Sequence, residues 1–381
     1  MEFGWTAEQR TYRDVLVRFA QSELCLDTID RDAAGIFPLE AWRACADLGI
    51  LGLPVPAEYG GAGADTLTLI LAMEALGYGC NDNGLLFSLN AHMWACQHPI
   101  TRFGTDEQKR RYLPGLADGS VIGAHAMTEP GSGSDAFSLA TTAESRGSDF
   151  VLNGSKTFVT NGPVADLILV FATRDPAEGF AGLCAFLIDR GTSGLTVGKP
   201  LSKMGLRTSP MSEVFLDDCV VSQDQLLGKP GGGMPIFANA MERERSLILA
   251  SSVGSMERQL ERSIEHARTR HQFGRPIGSN QAVSHRLVAM KLRLETSRLL
   301  LYRLGWLTDE GLPTAIDSAL VKLQLSEAFL ASSLDALQTH GGYGYMTEYE
   351  LEREVRDAVA GRLYSGTSDI QRNLVARYLG L

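Results

Sequence analysis

The spacing of apolar residues changes twice along the chain, from a helical repeat to a strand repeat and back. Up to about residue 120, apolar positions recur in steps of three and four, as expected for amphipathic helices. Thr6 and Gln9 form a capping box that predicts a first helix running to about Glu23. Further helices are predicted over residues 38–48, 66–76, 85–96 and 106–116.

From about residue 120 to 230, β-branched and aromatic residues alternate with turn residues. Residues 149–152 and 156–160 flank Asn153-Gly154, a pattern that predicts a hairpin with a tight Asn-Gly turn. Residues 167–172, 183–188 and 213–216 are predicted to be further strands. This middle segment is expected to form a small β-barrel or sandwich.

After the glycine run at residues 231–233, the helical spacing returns in three stripes. We expect each stripe to be a core or helix–helix contact face. The stripes are Leu249, Val253, Met256, Leu260 and Ile264; Val283, Leu287, Met290 and Leu294; and Leu320, Leu323, Leu330, Leu334 and Leu337. The chain is therefore predicted to be an α+β multidomain protein, with an all-α domain at 1–120, a β domain at 121–230 and a helical bundle at 231–381.

Composition narrows the possible partners. The chain has 381 residues, 44% of them apolar, and a net charge of −10, which argues against binding to nucleic acid. The start does not resemble a signal peptide and no apolar run reaches the ~20 residues of a membrane span, so we expect a cytoplasmic protein. Six scattered cysteines without a CxxC pair predict neither a metal site nor a disulfide framework.

Residues 128–135 (TEPGSGSD) form a loop of small and hydroxyl residues that can approach a ligand closely. The octet by itself is equally compatible with a surface turn. Three later segments follow, at residues 270–274 (RHQFG), 338–344 (QTHGGYG) and 364–371 (YSGTSDIQ). In this order and spacing, the four segments resemble the acyl-CoA dehydrogenase flavoproteins over essentially the whole chain. The resemblance implies FAD as cofactor and a four-helix bundle as the C-terminal domain.

The resemblance also implies which residues contact the cofactor. Those implied to lie against the flavin ring are Met127, Thr128, Gly133, Ser134, Phe158 and Thr160. Those implied to reach the flavin of a neighbouring subunit are Arg270, Phe273, Gln281, Gln338, Gly341 and Gly342, and Thr367 and Asp369 are implied to lie near the diphosphate and ribose. A homo-oligomer, either a dimer or a homotetramer, follows from these roles. Without the resemblance, Phe158 would be read as a core strand residue and Arg270 as a surface residue.

A dehydrogenase of this family needs a carboxylate to remove the Cα proton. Many members carry it where this chain has Ser365, and a serine hydroxyl is too weak a base. Glu244, ten residues before Gly254, matches the base of other branches and is the predicted catalytic residue. The alternatives are a solvated charge cluster at residues 242–245 and a non-catalytic protein. Only the backbone N–H of Ser365 is expected to act, on the thioester carbonyl.

The substrate is expected to be a short, branched or cyclic acyl thioester of CoA or a carrier protein. The predicted substrate contacts are Asn90, His92, Trp94, Ser134, Arg245, Tyr364 and Ser365. A lone histidine such as His92 is more often a core histidine with its nitrogens bonded than a catalytic residue. The stretch 82–100 resembles dehydrogenases that oxidise prolyl groups on peptidyl carrier proteins. An electron-transfer flavoprotein is the expected acceptor; the alternative is an acyl-CoA oxidase using dioxygen, a group that usually has a further C-terminal domain.

Overall fold

The computed structural model describes residues 5–381, and residues 1–4 of the predicted first domain lie outside the described residues. The first third of the chain is helical, as predicted. Its helices are α1 (Ala7–Phe19), α2 (Thr28–Ala34), α3 (Leu39–Asp47), α4 (Thr66–Gly79), α5 (Asn83–Asn90), α6 (His98–Phe103) and α7 (Asp106–Ala117). The predicted capping box is present, because the Thr6 and Gln9 side chains each accept from the other's backbone N–H. The short α2 was not predicted, since seven residues hardly establish a repeat.

The helix predicted over residues 85–96 is part of a longer one. It starts at Asn83 as α5, passes through a π-helical segment, Ala91–Gln97, and continues as α6. In the π segment the backbone N–H of His98 donates to the Met93 carbonyl, five residues back. Pro99 follows immediately and has no N–H to donate. The wider turn therefore lets the helix accept a proline without ending.

The middle of the chain forms one eight-stranded sheet. Its strands are β1 (Gly123–Ala126), β2 (Thr142–Arg146), β3 (Asp149–Thr160), β4 (Leu167–Thr173), β5 (Leu183–Asp189), β6 (Leu195–Val197), β7 (Met211–Ser222) and β8 (Leu226–Leu227). The strand order is β6-β7-β3-β2-β4-β5-β8, and β1 pairs in parallel with β4. One face of the sheet has its own apolar cluster, which includes Phe150 and Phe186, and the other face packs on α7.

The predicted hairpin turn at Asn153-Gly154 is wrong. Strand β3 runs straight through these residues, and the turn lies earlier, at Gly147, between β2 and β3. At Gly154 the register against β7 shifts by a bulge, and Gly154 has φ +148°. The Asn153 side chain bonds to Asp218 on β7 instead of closing a turn. An Asn-Gly pair meets the backbone needs of a bulge as well as those of a turn.

The last part of the chain is helical again. Its helices are α8 (Gly233–Leu247), α9 (Ala250–Thr269), α10 (Gln281–Asp309), α11 (Ala315–His340), α12 (Leu351–Ala360) and α13 (Ser368–Tyr378), with a small hairpin of β9 (His271–Gln272) and β10 (Arg275–Pro276) after α9. The long helices α9, α10 and α11 pack together, and α4 lies across α9. The buried faces of α9 and α4 join the N-terminal and C-terminal helices into one core.

The contact stripe predicted on α11 is wrong in part. Leu320 and Leu334 are 36% and 48% exposed, while the buried face carries Val321, Leu325 and Ala336. The stripe on α9 is confirmed, since Val253, Met256 and Leu260 are buried. Periodicity finds apolar faces but does not say whether the same chain covers them. Of the helices in residues 5–381, none is long and apolar enough to cross a membrane.

Candidate active site

Glu244 lies one turn before the end of α8, at a break where the chain turns into α9. Its side chain is buried, and its Oε1 accepts a hydrogen bond of 2.5 Å from the Ser365 hydroxyl. Burial raises the pKa of the Glu244 carboxyl, and the hydrogen bond from Ser365 opposes that rise. The side chain is thus no solvated surface acid, and it has the surroundings of a general base.

The turn that carries Ser365 connects α12 to α13. Ser365 and Gly366 both have left-handed backbones, with φ +54° and +83°. Three side chains hold their carbonyls: Arg245 Nε donates to Ser365 O at 3.1 Å, Gln371 donates to both, and Lys322 Nζ donates to Gly366 O at 2.7 Å. The turn is therefore fixed from two helices and from its own continuation.

One prediction at this turn needs correction, and one residue of the turn's surroundings was not predicted. The Ser365 side chain was expected to have no role, yet its hydroxyl is bonded to the predicted base. Lys322 was not predicted at all, because a single lysine in the apolar sequence of α11 has no motif around it. Its burial, on a helix face that also carries Ser318 and Ser326, is visible only in the structure.

A small cavity of about 20 Å³ adjoins Tyr364. Phe87 of α5 packs against Tyr364 with ring centroids 4.6 Å apart. Ile248, Leu249 and Phe329 complete the apolar part of the lining. A cavity of this volume has room for about one water molecule. Phe87, which was not among the predicted substrate contacts, therefore lies beside Tyr364 at this cavity.

The residues predicted to wall the acyl pocket, Asn90, His92 and Trp94, have core contacts instead. His92 Nε2 donates to the Leu116 carbonyl and Nδ1 accepts from the Gly123 N–H, both at 2.9 Å. Trp94 Nε1 donates to Asn90 Oδ1 at 2.6 Å. All three side chains are fully buried, and none lines the cavity beside Tyr364. The His92 bonds tie the α5–α6 helix to α7 and β1, whereas Asn90 and Trp94 bond within the helix. The burial of all three side chains speaks against the predicted substrate contact.

The loop at residues 128–135 and the end of β3 lie side by side. The Thr157 N–H donates to the Thr128 carbonyl at 2.8 Å, which sets Met127 and Thr128 next to Phe158 and Thr160. Phe158 has φ +56° and is 62% exposed. A large residue held in the left-handed region with its ring in solvent points to a ligand face. The exposed aromatic face of Phe158 and the open backbone at Gly133, where a Cβ would meet no neighbouring atom, suit an isoalloxazine ring.

A buried ion pair anchors this loop. Lys156 Nζ, fully buried, lies 2.6 Å from Glu129 Oε1 and also reaches the Met127 carbonyl at 3.3 Å. Glu129 in turn accepts from the N–H groups of Ala140 and Thr141. These two residues were not predicted, although Glu129 lies within the motif. Glu129 thus connects the start of the loop both to β3 and to the segment that follows the loop.

The second set of predicted cofactor residues lies elsewhere in the chain. Arg270, Gln338, Gly341 and Gly342 line a cleft of about 500 Å³ between the end of α9 and the end of α11. Gly341 has φ +59°, and a Cβ there would meet open space. A guanidinium beside exposed glycine backbone is a donor set that suits a diphosphate. The nearby Phe273 is 97% exposed, and Gln281 begins α10.

No residue of the eight-stranded sheet lines this cleft. The cleft therefore does not include the residues predicted to lie against the flavin ring, which are Met127, Thr128, Gly133, Ser134, Phe158 and Thr160. The remaining predicted contacts lie beyond the Ser365 turn, where Thr367 caps α13 through the Ile370 N–H and Asp369 pairs with Arg372 at the surface. Among residues 5–381, no three metal-binding side chains lie close enough together to hold an ion.

Sequence models of the acyl-CoA dehydrogenase N-terminal, middle and C-terminal domains match residues 6–120, 124–219 and 231–380. The L-prolyl-(peptidyl-carrier protein) dehydrogenase of Pseudomonas fluorescens is 44% identical, with 100% of both chains covered. The solved prolyl acyl carrier protein oxidase AnaB superposes with a TM-score of 0.98 at 48% identity, covering 99% of this chain and 100% of AnaB. A structure described as PigA with FAD and proline gives a TM-score of 0.97 at 41% identity, with 100% of both chains covered.

Proposed function

The chain belongs to the acyl-CoA dehydrogenase family, and from this premise we propose that it oxidises a prolyl group held as a thioester on a carrier protein. Its cofactor is FAD, and its reaction is the dehydrogenation of an acyl thioester. The proposal rests on the buried carboxylate of Glu244, which accepts a hydrogen bond from the Ser365 hydroxyl. Glu244 is the proposed catalytic base.

Each residue of this site has a defined task in the proposed reaction. The Glu244 carboxylate takes the proton from Cα of the acyl group, and burial keeps its pKa high enough to hold that proton. The backbone N–H of Ser365 polarises the thioester carbonyl, which acidifies Cα. The acceptor for the hydride that leaves Cβ would be supplied by bound FAD. Arg245 and Gln371 fix the turn so that these groups keep their places.

Phe87 packs against Tyr364, and the cavity that both residues line has a volume of only about 20 Å³. It offers no channel for a long alkyl chain, which favours a small acyl group. The names of the similar proteins, a prolyl-carrier-protein dehydrogenase and a structure with proline, support the prolyl group.

We also propose that the protein is a homo-oligomer, either a dimer or a tetramer. Apolar side chains stand exposed on the outer faces of α10 and α11 and on the β9–β10 turn; they include Val288, Leu292, Leu334 and Phe273. Apolar surface of this kind is typical of an interface. A second chain would bring its own Met127–Phe158 face to the Arg270 cleft, so that one FAD is held by both.

Anaerobic flavin reduction tests the proposed reaction. The purified holoenzyme is mixed under argon with prolyl-carrier protein, prolyl-CoA, butyryl-CoA or palmitoyl-CoA, and loss of the flavin absorbance is followed. We expect the prolyl-carrier protein to bleach the flavin fastest and palmitoyl-CoA not to bleach it. Faster reduction by palmitoyl-CoA than by any short thioester would contradict the proposal.

The acceptor of the electrons has two candidates. We propose an electron-transfer flavoprotein, because the similar curated proteins are named dehydrogenases. The second candidate is dioxygen, since AnaB is named an oxidase. Reoxidation of the substrate-reduced enzyme in air-saturated buffer distinguishes them: slow reoxidation that an electron-transfer flavoprotein accelerates supports the first, and rapid formation of hydrogen peroxide supports the second.

A further inference from the structure

Lys322 is buried in an unusual way. Its side chain is 0% exposed, and within residues 5–381 no carboxylate oxygen lies within ion-pair distance of its ammonium group. Its bonded partner is a neutral one, the Gly366 carbonyl at 2.7 Å. An ammonium in such a place is costly, and an apolar residue or a neutral donor would be cheaper for packing alone. The charge therefore calls for a functional explanation.

We propose that Lys322 is a positioning residue for the base: it holds the turn that brings Ser365 to Glu244, and its charge favours the ionised carboxylate. The inference rests on the proposed role of Glu244. The connection is short, because Lys322 binds the carbonyl of Gly366 and the preceding residue, Ser365, donates to Glu244. The Nζ atom also lies 5.7 Å from the centre of the Tyr364 ring. The ammonium thus contacts the residues on both sides of Ser365.

The charges around Lys322 come from three elements. Glu244 and Arg245 face it from α8, Glu327 lies further along α11, and Tyr364 belongs to the turn. Burial lowers the pKa of Lys322 to about 7, helped by Arg245 and opposed by Glu244 and Glu327. The charge of Lys322 likewise counteracts the rise that burial causes in the pKa of Glu244. The base is therefore expected to work best at a pH where Glu244 is ionised and Lys322 is still charged.

Replacement of the lysine separates its two tasks. Lys322→Met removes both the hydrogen bond and the charge, and Lys322→Gln keeps a donor without the charge. We expect Lys322→Met to reduce its flavin about 10- to 100-fold more slowly than wild type, part of the ~10²–10⁴ that a positioned base contributes. The acid limb of the pH profile of flavin reduction should also move to higher pH in this variant. Lys322→Gln should recover part of the rate but keep the shifted limb. The matched control is Lys291→Met, since Lys291 is exposed on α10 and pairs with Glu295.

A second measurement needs no substrate. Infrared titration of the holoenzyme detects the protonated carboxyl band that Glu244→Gln removes, and so gives the pKa of Glu244 directly. We expect this pKa to be higher in Lys322→Met than in wild type or in Lys291→Met. This result does not depend on the proposed reaction. The proposed reaction has its own test, and it would be contradicted if none of the thioesters reduced the flavin of the wild type.

The proposal is overturned if the Glu244 pKa and the pH profile of Lys322→Met both match those of Lys291→Met. Loss of folding or of FAD in both Lys322→Met and Lys322→Gln would also overturn it, because Lys322 would then be a structural residue only. Fold and cofactor content are followed by circular dichroism and by the flavin-to-protein absorbance ratio.

Discussion

At the scale of single residues, the site centres on the buried carboxylate of Glu244 and the Ser365 hydroxyl that donates a hydrogen bond to it. Burial makes the charged form of Glu244 less favourable, while the bond from Ser365 and the nearby cations make it more favourable. A base that removes a weakly acidic proton needs this compromise, because a carboxylate that is too stable will not take the proton. The pKa of Glu244 therefore depends on the balance between its burial and the groups bonded or close to it.

Glu244→Gln is expected to keep FAD and fold but to fail in flavin reduction. Glutamine retains the size and hydrogen bonding of glutamate and loses its basicity, and a positioned base is typically worth ~10²–10⁴ in rate. Single-turnover reduction under argon measures the effect. Reduction within a few-fold of wild type would show that the base lies elsewhere. Glu242→Gln, two residues away and bonded to Thr314, is the matched control and should keep its activity.

Ser365→Ala is expected to slow flavin reduction about tenfold or more, since a hydrogen bond to a charged group contributes about 1.5–3 kcal/mol. Without the donor, the pKa of Glu244 rises further, so the acid limb of the reduction rate moves to higher pH. Ser365 has a left-handed backbone, which strains serine and alanine alike but not glycine. Ser365→Gly therefore serves as the comparison: a loss in both variants assigns the effect to the missing hydroxyl, and a normal rate in both would show that the hydroxyl does not act on Glu244.

At the scale of elements, the site depends on how closely α4 crosses α9. Gly77 and Gly254 lie at this crossing, where a Cβ on Gly77 would overlap the Ser251 carbonyl and one on Gly254 would overlap that of Glu74. The backbones can approach so closely only because both positions lack a side chain. Since α9 begins three residues after α8 ends at Leu247, this contact also determines where Glu244 lies.

Gly254→Ala is expected to destabilise the protein by about 1–3 kcal/mol, the usual effect of overpacking a close contact. Urea unfolding of the holoenzyme measures the change in the free energy of unfolding. Gly191→Ala is the control, because a Cβ there meets no neighbouring atom. Equal stability of the two variants would contradict the close crossing.

At the scale of the whole molecule, the residues proposed to hold FAD fall into two groups. The ring face at Phe158 and the diphosphate cleft at Arg270 lie on different parts of one chain. Arg270→Ala is expected to release FAD and to loosen the oligomer, because the cleft loses its cation. Flavin absorbance after gel filtration and the mass from light scattering measure both effects. Arg268→Ala, two residues away and exposed, should keep both, and a monomer that retains FAD tightly would refute the shared site.

Acid stability is a second property of the whole molecule. Burial lowers the pKa values of His92, His98 and His125 to about 4. The folded protein thus holds these histidines neutral below the pH at which the unfolded chain protonates them. Their contribution is complete above pH ~6.5 and is lost as the pH falls through 4, at about 3 kcal/mol for each.

The melting temperature is therefore expected to fall steeply between pH 6.5 and 4. The dependence should be flatter in His92→Gln, while His271→Gln, a change at an exposed residue, should follow wild type. A melting temperature that is constant over this range would show that the three histidines do not control acid stability.

The sequence by itself determined the order of the elements and the family. Local signals such as the Thr6 capping box, the helical spacing of α9 and the four ordered motifs depend on residues that are near one another in the chain. The resemblance placed Glu244 in register with a known type of base, and the structure adds that it is buried and bonded. The apolar spacing also found the stripe on α11 but could not show that it faces outward.

Only the tertiary structure decided which polar residues serve the site and which serve the core. Asn153-Gly154 forms a bulge because β7 pairs along the whole of β3. His92 is a core residue because Leu116 and Gly123 bond both of its nitrogens. Lys322 and Ser365 act on Glu244 across 78 and 121 residues of chain. Such contacts depend on packing between distant segments, and a local pattern carries no information about which segments will meet.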